Sequence, residues 1–231
     1  MNATWTRIAS RDGGEYEAYL SLPPAGRGPG LLLFQEILGV NRHIRAVADQ
    51  YALDGFVVLA PDVFWRQAPR VELGYDGAEL ERARTIAAAA DAALIAADLD
   101  TSVAALRARP EVVAKVGTIG YCMGGRLAFL AAAQTRLEAA VCYYGGGIQD
   151  RLDLAASITC PLQLHYAGQD PHIPATAVER VRAALKGRDV DIHLYDAAGH
   201  GFNCWERAAY HAPSACLAHG RALLHLGRHL F

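Results

Sequence analysis

Gly120-Tyr121-Cys122-Met123-Gly124-Gly125 decides the reading of this chain. The stretch follows a β-like run, Lys115-Val116-Gly117-Thr118-Ile119, and leads into a helix-like run from Arg126 to Ala133. A strand that turns sharply into a helix, with glycines two residues either side of a reactive side chain, is the context of the G-x-S-x-G nucleophile elbow. The glycines leave room for close backbone approach, and one side chain is left at the top of the sheet. Here that side chain is a thiol, and a thiol at an elbow predicts acyl transfer through a thioester.

Outward from this point the chain alternates strand-like and helix-like segments. Leu31–Phe34, Phe56–Ala60, Val116–Ile119, Ala139–Tyr144 and Leu162–Ala167 are short apolar runs. Such strands are expected where helices cover both faces of a parallel sheet. Asp191–Tyr195 alternates polar and apolar residues, as near a sheet edge, and Glu15–Leu22 reads as an N-terminal antiparallel strand. Helices are expected near Ile44–Asp54, Glu79–Arg109 with a break, Gly125–Gln134, Thr176–Lys186 and Arg207–Leu230. The Ala-rich stretch around Ala87–Ala97 is a strong helix former rather than a linker. The pattern gives an α/β class, a doubly wound, mostly parallel sheet flanked by helices in three layers. No repeat, linker or composition shift divides the 231 residues, so a single domain over 1–231 is expected.

Composition narrows the partners. A net charge of −2 offers no basic footprint for nucleic acid or an anionic membrane. No apolar run approaches a bilayer span, and the first ten residues lack the apolar core of a secretory signal. Five cysteines without paired spacing read as reduced thiols of a cytoplasmic protein. Cys142, Cys160, Cys204 and Cys216 read as small buried hydrophobes. The histidines other than His200 are scattered without a ligand pattern, so no metal is expected. No phosphate loop or dinucleotide fingerprint follows the first strand, so no cofactor is implied either. A monomer is the default for a domain of this size.

An elbow nucleophile needs an acid and a base, and in this architecture they follow it in the order Asp, then His. Asp170 lies in Gly168-Gln169-Asp170-Pro171, directly after an apolar strand, and His200 lies in Gly199-His200-Gly201-Phe202, after the edge strand. Both leave the carboxyl ends of strands, where α/β sheets bind ligands. An ordinary thiol, with a pKa of about 8.5, is mostly protonated at neutral pH. An imidazole can take its proton, a helix N-terminus favours the anion, and a carboxylate fixes the imidazole tautomer. The backbone N–H of Met123, after the nucleophile, is one expected oxyanion donor; a second is expected in the loop after an early strand, near Ile37.

With these residues in hand the chain resembles the dienelactone hydrolase family of the α/β-hydrolase fold. The elbow with its cysteine carries the resemblance, as do Gln35-Glu36-Ile37-Leu38-Gly39-Val40-Asn41 and the loops around Asp170 and His200. Ala60-Pro61-Asp62 and Tyr143-Tyr144-Gly145 add support, and the similarity runs from about residue 15 to 230. The resemblance implies opening of a small lactone, of the dienelactone-to-maleylacetate type, by Cys122, His200 and Asp170. It implies a part for Glu36 in activating the thiol, as acceptor of its proton when substrate rearranges the pocket. It also implies arginines for a substrate carboxylate. Arg82 and Arg84 lie where the family carries one of them. The position of the second, four residues after His200, is Cys204 here, with Arg207 three residues beyond. The stretch Thr85–Ala93 is nearly all small where the family has a bulky aromatic. Trp65, Tyr143 and Phe202 are candidates to line the substrate pocket. The departure at Cys204 keeps a second reading open, a carboxylesterase or thioesterase of different range on the same cysteine. A third reading is a non-catalytic ligand-binding homologue.

Overall fold

The computed structural model describes residues 2–231, and of Ala114 only the backbone. The chain divides into two compact units, one ending at Gly117 and the other beginning at Thr118.

In the first unit the strands are β1 (Asn2–Ala9), β2 (Glu15–Leu22), β3 (Gly28–Phe34) and β4 (Val57–Pro61), hydrogen-bonded in the order β1-β2-β4-β3. β2 is antiparallel to both β1 and β4, while β3 and β4 run parallel. Every residue of β3 and β4 is buried, as expected of apolar strands covered on both faces. Three helices belong to this unit: α1 (Arg42–Leu53), α2 (Gly77–Ala89) and α3 (Ala92–Arg107). Asn41 caps α1, its side-chain oxygen accepting the Ile44 N–H at 3.1 Å. The long Ala-rich helix breaks at Ala90–Asp91 because the Asp91 carboxylate caps a new start, accepting the N–H groups of Ala93 at 2.8 Å and Leu94 at 3.2 Å.

β5 (Val112–Tyr121) crosses the division, and the second unit continues with α4 (Met123–Gln134), β6 (Ala139–Tyr143), β7 (Leu162–Ala167), α5 (Ala175–Ala184), β8 (Val190–Tyr195) and α6 (Ala212–Leu230). β6, β7 and β8 are neighbours in that order and all parallel. β6 and β7 are wholly buried, whereas β8, at the edge, is only partly so. The elements give the α/β class read from the sequence, with a mostly parallel mixed sheet and flanking helices.

One strand was missed and two expectations need correcting. β1 was not legible, because nearly all its residues are exposed or half-buried and carry no apolar pattern. The last helix begins at Ala212, not Arg207. Residues 199–211 instead form successive turns, with bonds such as Cys204 N–H to the Gly201 carbonyl at 2.9 Å and Tyr210 N–H to the Arg207 carbonyl at 3.0 Å. Pro213, in the first turn of α6, is the sequence signal that marks the true start. Finally, Cys142, Cys160 and Cys204 are buried, but Cys216 is exposed. The apolar face of α6 runs through Ala215, Ala218, Ala222, Leu226 and Leu230, which leaves Cys216 on the outer side.

Candidate active site

Cys122 stands between the last residue of β5 and the first of α4, with φ 54° and ψ −118°. A non-glycine residue in such a conformation stores about 1–3 kcal/mol and persists only where the surroundings over-determine it. They do so here. The Cys122 N–H donates to the Tyr143 carbonyl at the end of β6, at 3.0 Å, and the Cys122 carbonyl accepts the N–H groups of Gly125 at 2.9 Å and Arg126 at 3.3 Å. The flanking glycines are sterically required. A Cβ at Gly120 would strike the Gly124 carbonyl, and one at Gly125 would lie 2.5 Å from the Tyr143 oxygen and 3.0 Å from the Gly145 Cα. Met123 opens α4, so its N–H belongs to the first turn, where donors lack intrahelical acceptors.

Asp170 and His200 come from the loops after β7 and β8, and those loops are laced together. Gly168 N–H donates to the Tyr195 carbonyl at 2.8 Å and Gln169 N–H to the Ala198 carbonyl at 2.9 Å. A Cβ on Gly168 would press on the backbone of Asp196 at 2.6 Å. Asp170 is buried; its Oδ1 accepts the N–H groups of His172 at 2.8 Å and Ile173 at 3.2 Å. Its other oxygen accepts from His200 Nδ1 at 2.7 Å. The opposite ring nitrogen, His200 Nε2, lies 3.1 Å from Cys122 Sγ. Sulfur, imidazole and carboxylate therefore form one hydrogen-bonded line, all within the second unit.

The electrostatics of this line are distinctive. Burial works to lower the His200 pKa, but the hydrogen bonds to Asp170 and Cys122 and the charges behind them outweigh it and push it up to about 10. Burial likewise works to raise that of Asp170, yet the His200 bond and charge and the His172 N–H hold it below the usual carboxylate value. At neutral pH a protonated imidazole then donates from one nitrogen to the carboxylate and from the other to the sulfur. The linkage to stability has a definite sign. A histidine whose pKa rises on folding, from about 6.5, stabilises the fold fully below that value and loses the contribution as pH climbs toward 10. Asp170, with a lowered pKa, contributes above about 3.9 and loses its share in acid. The Tm difference between wild type and His200→Gln is thus expected to be widest near pH 5–6 and to shrink steadily toward pH 10. A gap that widens over that interval would contradict the assignment.

The other expected residues fall as follows. In the loop from Gln35 to Asn41, Gly39 has φ 83°, and a Cβ there would collide with the Val71 carbonyl. Asn41 Nδ2 donates to the Leu73 carbonyl at 3.0 Å, and Leu73 N–H to the Leu38 carbonyl at 3.0 Å. These bonds fix the loop that carries Glu36, which is buried, and Ile37, which is half-buried. Arg82 and Arg84 are exposed on α2, where Arg84 pairs with Glu81. Trp65 stacks on Tyr16, with ring centroids 5.7 Å apart, and donates its indole N–H to Asp98 at 2.9 Å. Tyr143 and Phe202 are fully buried. Tyr143 lies against Tyr121 and His165, with centroids at 4.7 and 4.3 Å. Cys204 is fully buried, while Arg207 is half-buried with its guanidinium against Gly201, the residue that follows His200 in the chain.

Two side chains not expected in the site from the sequence also touch His200. The Tyr144 and His172 rings each have centroids 5.1 Å from it. Among the described residues no three His, Cys, Asp or Glu side chains could hold a metal ion, and no helix is long and apolar enough to cross a membrane.

Comparison with known proteins places the chain in a family. The dienelactone hydrolase family pattern matches residues 16–230. A carboxymethylenebutenolidase of Pseudomonas putida is 33% identical over 218 residues, 94% of this chain and 92% of that one. A carboxymethylenebutenolidase of Pseudomonas sp. strain P51 is 37% identical over 198 residues, covering 84% and 82%. A crystal structure of a Klebsiella pneumoniae protein that carries the dienelactone hydrolase name superposes with a TM-score of 0.88 at 32% identity, over 98% of both chains.

Proposed function

The chain belongs to the dienelactone hydrolase family and is a carboxylic-ester hydrolase; on that premise we propose that it opens a small lactone or ester through a thioester on Cys122. The observation that carries this reading is the line from Cys122 Sγ to His200 Nε2, 3.1 Å, and from His200 Nδ1 to Asp170, 2.7 Å. In this scheme the sulfur attacks the substrate's carbonyl carbon, and the carbonyl oxygen becomes an oxyanion received by the Met123 N–H. Collapse breaks the carbon–oxygen bond of the ester, and the leaving oxygen takes the His200 proton. A water then gives a proton to the neutral His200 as its oxygen attacks the thioester. The carbon–sulfur bond breaks, the acid product leaves, and the sulfur and His200 regain their resting pairing. Asp170 holds the imidazole in the tautomer that both steps need and stabilises it when charged. The parts of Glu36 and of the Ile37 N–H rest on the family resemblance carried by the loop from Gln35 to Asn41.

For the substrate we favour a lactone bearing a carboxylate, as the names of the relatives suggest. Arg207, whose guanidinium lies against Gly201 next to His200, is the cation we assign to that carboxylate in place of the arginine missing at Cys204. The test is turnover of cis- and trans-dienelactone beside an uncharged aryl ester, by wild type and Arg207→Gln. We expect the variant to raise KM for the dienelactones about 10–100-fold, the scale of a lost charged hydrogen bond, and to leave the aryl ester within about threefold. Wild-type turnover of the aryl ester without the dienelactones would favour the broader esterase reading, which the cysteine at position 204 in place of the family's arginine keeps open. Turnover of neither would overturn the hydrolase assignment of the site.

A further inference from the structure

His200 is held at both ring nitrogens, by Asp170 at 2.7 Å and by Cys122 at 3.1 Å. Two bonds at the ends of one line leave a freedom. The imidazole can still be displaced off the line that joins its two partners, and a tilt out of that line weakens both bonds because each depends on the N–H direction. Two aromatic rings bear on that tilt. Tyr144 lies at 5.1 Å and 60°, and His172 at 5.1 Å and 87°, an edge-to-face approach. Tyr144 is fully buried and His172 is exposed, so one grips from the interior and the other from the solvent side.

The backbone at both positions is tied to the same site. Tyr144 has φ 37°, a left-handed value unusual for a bulky side chain. It follows Tyr143, whose carbonyl accepts the Cys122 N–H at 3.0 Å, and its own N–H donates to the His165 carbonyl at 2.7 Å. The next residue, Gly145, meets Gly125 of α4 so closely that a Cβ on Gly125 would lie 3.0 Å from the Gly145 Cα. One strained corner at the end of β6 therefore anchors the nucleophile through a carbonyl and the imidazole through a ring. His172 leaves the turn that its own N–H closes on Asp170 at 2.8 Å, so its ring is placed by the residue that also orients His200. Strain retained at an otherwise replaceable aromatic position points to a role.

We propose that Tyr144 and His172 are positioning residues that clamp His200 in line with Cys122. The inference rests on the hydrolase reading for its effect on turnover, but not for its effect on the thiol. Its test uses the full chain in a Cys216→Ser background, which removes the exposed thiol of α6. Tyr144→Ala, Tyr144→Phe, His172→Ala and His172→Phe are compared by the rate of Cys122 alkylation with iodoacetamide against pH, and by kcat and KM on a neutral aryl ester. We expect the alanine variants to lose about 10–100-fold in kcat with KM within about threefold, as a misplaced catalytic group does. Their alkylation profiles should show slower reaction around neutral pH, because an imidazole out of line bonds the sulfur less well, and the phenylalanine variants should recover most of both. Superimposable alkylation profiles, or phenylalanine variants as poor as alanine, would overturn the proposal. If Tyr144→Ala fails to fold, the exposed His172 carries the same comparison. Alkylation needs no substrate, so a protein that cleaves no ester would sink the hydrolase reading while the clamp is still decided.

Discussion

Cys122→Ala is expected to lower kcat/KM by at least about 10⁴-fold, the scale on which removal of a covalent nucleophile acts in triad hydrolases. The fold should survive. The side chain is half-buried, its replacement is smaller, and the φ of 54° is imposed by the bonds to Tyr143, Gly125 and Arg126, not by the sulfur. The variant keeps the strain and loses the bond to His200 along with the nucleophile, so its unfolding free energy should fall by about 1.5–3 kcal/mol, the scale of a lost hydrogen bond to a charged group. Steady-state kinetics and a denaturant melt on one preparation separate the two effects. Retained turnover with intact folding would mean that another group attacks the ester and that the Cys122–His200 contact is structural.

Asp170→Asn comes next in size, with kcat down about 10³–10⁴-fold and KM nearly unchanged. The magnitude is that of the corresponding change in serine hydrolases, where the amide selects the wrong imidazole tautomer. The amide oxygen can still accept the N–H groups of His172 and Ile173, so the loop should hold its shape. What disappears is the charge. The hydrogen bond and the negative charge of Asp170 are among the causes that raise the His200 pKa to about 10. The histidine should therefore titrate lower in the variant, and the alkaline limb of its residual pH–rate profile should move down with it. An unmoved limb would assign that limb to a different group.

How much of this could be read beforehand depends on what kind of force fixes each part. The strands of the core were legible because burial on both faces leaves a continuous apolar run, as in β6 and β7. β1 was not, because it is held by backbone pairing to β2 and spends little apolar area. The start of α6 was misplaced because the turns after His200 are closed by main-chain bonds that any residues could make. Cys122, Asp170 and His200 were legible because their chemistry demands particular residue types in a particular order. The placing of Tyr144 and His172 against the imidazole was not, since ring packing places no such demand on residue type. A left-handed φ at Tyr144 also leaves no mark in the sequence, where glycine would.

The burial of the remaining thiols has a consequence for oxidative stress. Cys142 is pushed well above the usual thiol pKa by burial, and Cys160 to about 11, so neither offers much thiolate to a peroxide; Cys204 is shut away from solvent altogether. Oxidant attack is thereby channelled to Cys122 and to Cys216 on the outer face of α6. Damage should then register as loss of activity long before loss of fold. A mild exposure that stops at the sulfenic acid is reversible by thiols, whereas further oxidation to the sulfinic stage is not. Under the mechanism proposed above, the protein would thus lose its nucleophile while keeping its fold, and remain repairable only for as long as that sulfur has taken up a single oxygen.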